Sequence, residues 1–120
     1  MYFQNLNKII HHHFKTVAAG DDFRAPLQAG LKLLEEKRAT KWLSDDRNNK
    51  ILSMEDSDWA DRSFGIQAMK AGWRAWAMVL PEDRRAQINI ERLMQQRKEY
   101  GMEIRAFSDV EEALSWLKKQ

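Results

Sequence analysis

The stretch WRAWAMVLPED, residues 73–83, decides how the fold is read. From Trp73 to Leu80 it is almost continuously apolar, Arg74 being its one charge, and it has the length of a strand. A strand covered on one face alternates apolar and polar residues. One covered on both faces does not, and it belongs in the middle of a sheet. Pro81 ends the run because proline has no N–H to give to a sheet ladder. A doubly covered strand requires flanking strands and helices above and below it, and the sequence on either side has the patterns for both.

Downstream, residues 84–100 carry Ala86, Ile90, Leu93 and Met94 at helical spacing, with Arg97 continuing the stripe as an aliphatic stem. Gly101 stands where a helix ends in the left-handed conformation. MEIRAF (102–107) alternates as a strand. SDVEEALSWLKK (108–119) places Ser108 and Glu111 in capping-box register, with Val110, Ala113, Leu114 and Leu117 as its stripe.

Upstream, Ser53 with Asp56 three residues on approximates a second capping box. It opens a helix that runs to about Ala71 and stops at Gly72. ATKWL (39–43) reads as a short strand ending near Ser44. Before it, Phe23, Leu27, Leu31 and Leu34 form one apolar stripe of a helix that Asp21 or Asp22 caps. Pro26 belongs in a first turn, which places the start near Asp22. YFQNL (2–6) and KIIHHHFKTV (8–17) read as a hairpin or two short strands around Asn5 to Asn7.

The order is ββαβαβαβα over residues 1–120, without repeats or internal linker, and is expected to fold as a single domain. Strands alternating with helices of this length predict an α/β fold, a mostly parallel sheet of four to five strands with helices packed on it.

Composition narrows the functional classes. Lys plus Arg is 20 and Asp plus Glu is 18, and successive 40-residue thirds carry 6 and 4, 6 and 6, and 8 and 8 basic and acidic residues. No third has the cationic excess that a phosphate backbone requires, so nucleic acid is not an expected partner. The absence of cysteine excludes disulfides, thiolate nucleophiles and zinc–thiolate sites. No apolar run reaches the roughly 20 residues that span a bilayer. A reducing, cytoplasmic setting is the default expectation.

ATKWLSDDRN (39–48), AMVLPED (77–83) and IRAFSDVEEALSWLK (104–118) carry a resemblance to uncharacterised bacterial STAS-like (SpoIIAA-like) proteins, related in fold to anti-sigma-factor antagonists. The resemblance implies a STAS-like fold and an interaction or ligand-binding module. Phosphorylated antagonists carry a DSSG-like motif at a helix start, which this sequence lacks. Ser53 and Ser57 lie near the corresponding position and are the candidates for phosphorylation.

The polar stretch after ATKWL is the first candidate site. Open parallel sheets bind ligands beyond the carboxyl ends of their strands. Asp45, Asp46, Arg47 and Asn48 fall there, as do Asp83 and Arg84 after the central run. Asp and Asn also satisfy turn backbone, and Arg47 can bridge carboxylates to hold a loop. On a strand His11 and His13 share a face, but further ligands are wanting, so only adventitious metal binding is expected. The second helix is apolar on more than one side, with Trp59, Ile66 and Met69 on one and Phe64 and Ala68 on another. Trp59, Phe64 and Trp116, which lies off the last helix's stripe, are therefore the candidates for an interaction surface.

GxSxG, HExxH and a glycine-rich phosphate loop are all absent, and no cofactor is expected. The leading expectation is a non-enzymatic binding or regulatory module acting through a protein partner or self-association. The alternative is a carrier of a small apolar or lipid-like ligand between helices and sheet. A third reading, an enzyme using Asp45, Asp46 and Arg47, requires unpaired carboxylates in a concave pocket.

Overall fold

The computed structural model describes residues 2–4, 8–13, 19–48 and 53–120. Its elements follow the expected order: β1 (Tyr2–Gln4), β2 (Ile9–His13), α1 (Asp21–Lys37), β3 (Lys41–Asp45), α2 (Met54–Asp58), a π-helical stretch (Trp59–Gly65), α3 (Ile66–Lys70), β4 (Ala75–Val79), α4 (Arg84–Glu99), β5 (Glu103–Phe107) and α5 (Val110–Lys118). The turn residues Asn5 to Asn7, and residues 14–17 of the second expected strand, lie outside the described residues.

One sheet holds all five strands in the order β1-β2-β3-β4-β5. β1 runs antiparallel to β2, and β2 to β5 are parallel. Each of the three parallel connections passes through helix and advances to the adjacent strand. Repeated crossovers of one hand and one direction put their helices on one face. That face carries the row Ile10, Trp42, Trp76 and Ile104, in register across the sheet. Phe23, Leu27, Leu31 and Leu34 of α1, Ala60, Phe64 and Ala68 of the second helical stretch, and Ile90 and Met94 of α4 pack on it. Ala113 and Leu117 of α5 cover the opposite face, over Ile9, Leu43, Ala75, Ala77 and Val79. All five residues of β4 are buried, as a doubly covered strand requires.

Local chemistry explains most boundaries. The Ser53 hydroxyl accepts from the Asp56 amide, so Ser53 is the N-cap. The Asp56 carboxylate does not return to the cap's own amide. It reaches instead to the Gly20 amide at 3.0 Å and to Arg24 Nε at 3.1 Å, tying the second helical stretch to α1. Those bonds and the Arg24 charge, opposed by desolvation, hold the Asp56 carboxyl below its usual range. Gly101 takes φ +86 just after α4, and Gly72 takes φ +121 after α3.

Three boundaries correct the sequence reading. Asp21 and Asp22 do not cap α1. Gly20 is its N-cap, and both aspartates sit in the first turn, where the helix dipole favours them. Pro26 is consequently the sixth residue of the helix rather than part of its first turn, and the bond it forgoes is to the carbonyl of exposed Asp22. At α5 the cap is Asp109, whose carboxylate accepts from the Glu112 amide at 3.1 Å, and not Ser108. β3 extends through Asp45 because His13 and Val79 pair with it on either side.

Candidate functional site: a cavity between the sheet and its helices

Two aspartates, Asp45 as the last residue of β3 and Asp46 just after it, send their side chains to opposite faces of the sheet. Asp45 is 2% exposed. Arg47 grips its carboxylate with Nε to Oδ1 at 2.8 Å and Nη2 to Oδ2 at 2.7 Å, while the Arg47 amide donates to Oδ1 at 3.3 Å. Nδ1 of His13, adjacent on β2, lies 2.7 Å from Oδ2. Burial alone would raise this carboxyl. The Arg47 and His13 bonds outweigh it and hold Asp45 below the usual carboxylate range. The Arg47 guanidinium is raised in turn by the bond to Asp45. Asp45 is thus a closed structural pair, without the unpaired oxygens that acid–base chemistry requires.

Asp46 turns to the helix-rich face. Its amide donates to the Val79 carbonyl at 3.0 Å, and its carboxylate lies 3.4 Å from Nε2 of His12. Trp42 Nε1 donates to His12 Nδ1 at 2.7 Å. An indole N–H can only donate, so Nδ1 accepts and the His12 proton sits on Nε2, toward Asp46. Expected on a half-solvated strand, the histidines divide: His12 is buried, and His11 and His13 are half-buried. Burial lowers the His11 pKa, against the attraction of Asp45. Among the described residues no group of three or more His, Asp or Glu is arranged to hold a metal ion.

The other candidates separate. Asp83 is the N-cap of α4, accepting from the Arg85 and Ala86 amides at 2.9 and 3.1 Å, which commits its carboxylate to the helix. Arg84 is exposed and donates to Gln87 at 3.2 Å. Arg47 and Asn48 border an open groove with Pro81, Gln87 and Ser108, which neither Asp83 nor Arg84 joins. Ser53 is an exposed cap, and Ser57 is buried. Phe64, expected on an interaction surface, is buried against Trp42 at a centroid separation of 5.3 Å. A π-helical turn rotates it off the outer face. Trp59 is half-buried, stacked on Phe64 with Arg24 over its ring. Trp116 is likewise half-buried and covers Phe107 at 5.9 Å, with Arg105 above it.

The space between helices and sheet that the carrier alternative requires lies beneath α4, and the sequence reading did not name the buried arginine in its wall. A cavity of about 60 Å³ separates the sheet from α1, the π-helical stretch and α4. Its walls include Trp42, Trp73, Trp76, Phe64 and Met78, with Ser44, His12, Asp46 and Arg97 as polar members. Asn89 on α4 is the one lining residue that is not buried, which makes it the side of access. Trp73 sits 5.6 Å from Trp42 and 5.2 Å from Trp76, centroid to centroid. The indole N–H groups are all used: Trp42 on His12, Trp73 on the Ala75 carbonyl and Trp76 on Ser44 Oγ.

Arg97 is 3% exposed, so its head is buried where only its stem was expected. The guanidinium carbon lies 5.3 and 5.5 Å from the rings of Trp73 and Trp76. Nη2 donates to the Ala60 carbonyl at 2.7 Å, and Nε lies 3.7 Å from Asp61. Asp61 is also faced by the Gln96 amide, which donates to both its oxygens at 3.1 Å when its nitrogen, rather than its oxygen, is assigned to the inner position. Nη1 of Arg97 is buried and has no hydrogen-bond partner among the described residues. Desolvation lowers the guanidinium pKa, against the attraction of Asp61. A buried donor left unmade costs about 1–3 kcal/mol, and more when charged, so this atom is an outlier for a folded interior.

The local sequence makes room for it. Gly65 closes the π-helical stretch, and a Cβ there would overlap the Arg97 guanidinium. A single π-turn in an otherwise α-helical run is a recurrent feature of functional sites. The available signal was an arginine on the apolar stripe Ala86, Ile90, Leu93 and Met94. Its partners, Ala60, Asp61, Trp73 and Trp76, are too distant in sequence to be paired by periodicity.

No family model matches this sequence, and no curated protein or solved structure is significantly similar to it.

Proposed function

We propose that the chain is a non-enzymatic binding module of STAS-like type, and that its ligand is a small molecule held between the helices and the sheet. The observation that carries the reading is the cavity bounded by three tryptophans, Phe64 and Met78, with a buried donor that none of the described residues satisfies. Ligand sites are mostly apolar with a few convergent polar groups, and this one has that composition at about 60 Å³, several times smaller than the roughly 300–1,000 Å³ usual for such sites. Its size sets the class. At about 10–15 Å³ for each water-sized occupant, it takes about four to six such units, a compact ligand rather than a lipid chain. A ligand recognised here would report on its own concentration or be delivered by this domain to a protein partner, the regulatory role that the STAS-like resemblance implies.

The carboxyl-edge carboxylates give less support to a reaction, since Asp45 is gripped by Arg47 and His13 and Asp83 caps α4. Among the described residues no helix is long and apolar enough to cross a membrane.

A cavity-filling substitution tests the reading. Ala86, 1% exposed on α4, lines the space, and Ala86→Leu adds three carbons into it. Protein purified under native conditions is expected to release a small molecule on denaturation, detected by mass spectrometry, and the filled variant is expected to lose it while staying folded. A folded Ala86→Leu protein that carries the same molecule in the same amount would rule the cavity out as the site.

A further inference from the structure

We propose that the cavity is a carboxylate site: it takes a small monoanionic carboxylic acid with a short apolar body, whose oxygen accepts from Nη1 of Arg97. This deepens, and rests on, the reading of the cavity as a ligand site. Four observations on separate parts of the chain converge on it. Arg97 is buried, borders the cavity and has one donor nitrogen without a partner. Its other contacts hold it still: Nη2 on the Ala60 carbonyl and the guanidinium against Trp73 and Trp76. A guanidinium fixed in this way presents its donor without further ordering, which favours binding. Its own counter-ion is weak, since Asp61 lies at 3.7 Å, is a quarter exposed and is also faced by the Gln96 amide. The guanidinium occupies the space that a Cβ at Gly65 would take.

The same geometry sets the ligand's charge and direction. One arginine supplies one positive charge, which a carboxylate matches. A phosphate dianion would leave a charge uncompensated in a wall that is mostly aromatic, a large desolvation penalty. Ser44, whose oxygen is engaged by Trp76, retains its hydroxyl proton as a further donor on the wall. Asp46 lies just beyond the carboxyl end of β3, whereas Arg97 rests on Trp73 and Trp76 at the amino end of β4. An anion is thus repelled from one end and drawn to the other. The apolar body then lies along Trp42, Phe64 and Met78.

Butyrate and butyramide test this directly, being nearly isosteric and differing in charge. Their binding to the full chain is followed through the indole N–H resonances of Trp73 and Trp76 in two-dimensional NMR, at constant ionic strength. Butyrate is expected to bind at least about tenfold more tightly than butyramide, with inorganic phosphate not competing. In Arg97→Gln the preference is expected to fall to within about twofold while butyramide binding persists. In Arg97→Lys, which keeps the cation, part of the preference should return. Equal or tighter binding of butyramide to the wild-type chain overturns the carboxylate site and leaves the cavity reading standing. Binding of neither compound at millimolar concentration sinks both. The wild-type comparison needs no variant to fold.

Discussion

Two buried charges, one on each face of the sheet, are treated in opposite ways. On the α5 face Asp45 is met by Arg47 through two side-chain bonds and by His13, both within hydrogen-bond distance. On the helix-rich face Arg97 is met by a carbonyl, two aromatic rings and a long contact to Asp61, and one of its nitrogens is unmatched. Both residues are buried to a similar degree, at 2% and 3% exposure, so burial alone does not mark a site. The difference lies in completeness. A satisfied buried charge fixes local structure, whereas an unsatisfied one beside a cavity has binding capacity left over.

The harshest way to break the comparison is to collapse the cavity wall. Phe64→Asp removes an aromatic ring packed on Trp42 and Trp73 and places a carboxylate among them. Urea unfolding should show a loss of at least about 4 kcal/mol, with little folded protein left to assay. If this variant instead stays as stable as wild type, Phe64 is a surface residue and the burial described above is wrong.

A smaller loss tests the closed pair. Asp45→Asn keeps the shape but removes the charge that Arg47 and His13 recognise. Because Arg47 is half exposed and can be rehydrated, the expected cost is about 1–3 kcal/mol at pH 7. The same variant carries a pH signature. A carboxyl whose folded pKa lies below its unfolded value stabilises the fold fully above that unfolded value, about 3.9, and loses the contribution as pH falls through the folded value. Asp45 and Asp56 are both lowered. Wild-type stability should therefore decline below about pH 4, and Asp45→Asn should decline less steeply. Parallel urea midpoints for the two proteins from pH 5 to pH 2 would remove Asp45 as a contributor.

The smallest effect is the sharpest discriminator. Arg97→Met replaces an incompletely paired charge with an apolar side chain of similar length. Removing one member of a buried pair is costly when it strands the other charge. Asp61, a quarter exposed, can be solvated once its partner is gone, so stability should lie within about 1 kcal/mol of wild type. A loss as large as that of Asp45→Asn would mean that Arg97 is a structural tie of the same kind.

The elements were legible because their signals are local. The unbroken apolar run of β4 follows from cover on both faces, the Ser53 cap from a hydroxyl at a helix start, and Gly101 from a left-handed residue after α4. Where two neighbours could both cap, as Ser108 and Asp109 could, the sequence left the choice open to an error of one residue. Gly20 displaced the aspartates at α1 for a non-local reason, since its amide is held by Asp56 from another helix.

Of the cavity's polar members the sequence singled out only Asp46 as a ligand candidate. Asp45, Asp46 and Arg47 stand together in sequence, and their density drew attention to the carboxyl edge. β3 running one residue longer than expected placed Asp45 on the α5 face, while Asp46, just past the strand, turns to the other. Arg97 carried no comparable mark. An arginine on an apolar stripe most often lays its stem on the core and its head in water.

The sequence by itself therefore determined the element order, the cover of β4 on both faces and the class of the fold, because hydrophobic period and capping act over a few residues. The middle strand of the sheet is nevertheless β3, and β4 lies beside the edge strand β5. Only the tertiary structure decided which charges are complete. Asp45 closes on residues two and 32 positions away, while Arg97 reaches 37 positions to the Ala60 carbonyl and still retains a free donor. Whether a buried charge is satisfied depends on ångström distances between segments that meet only on folding.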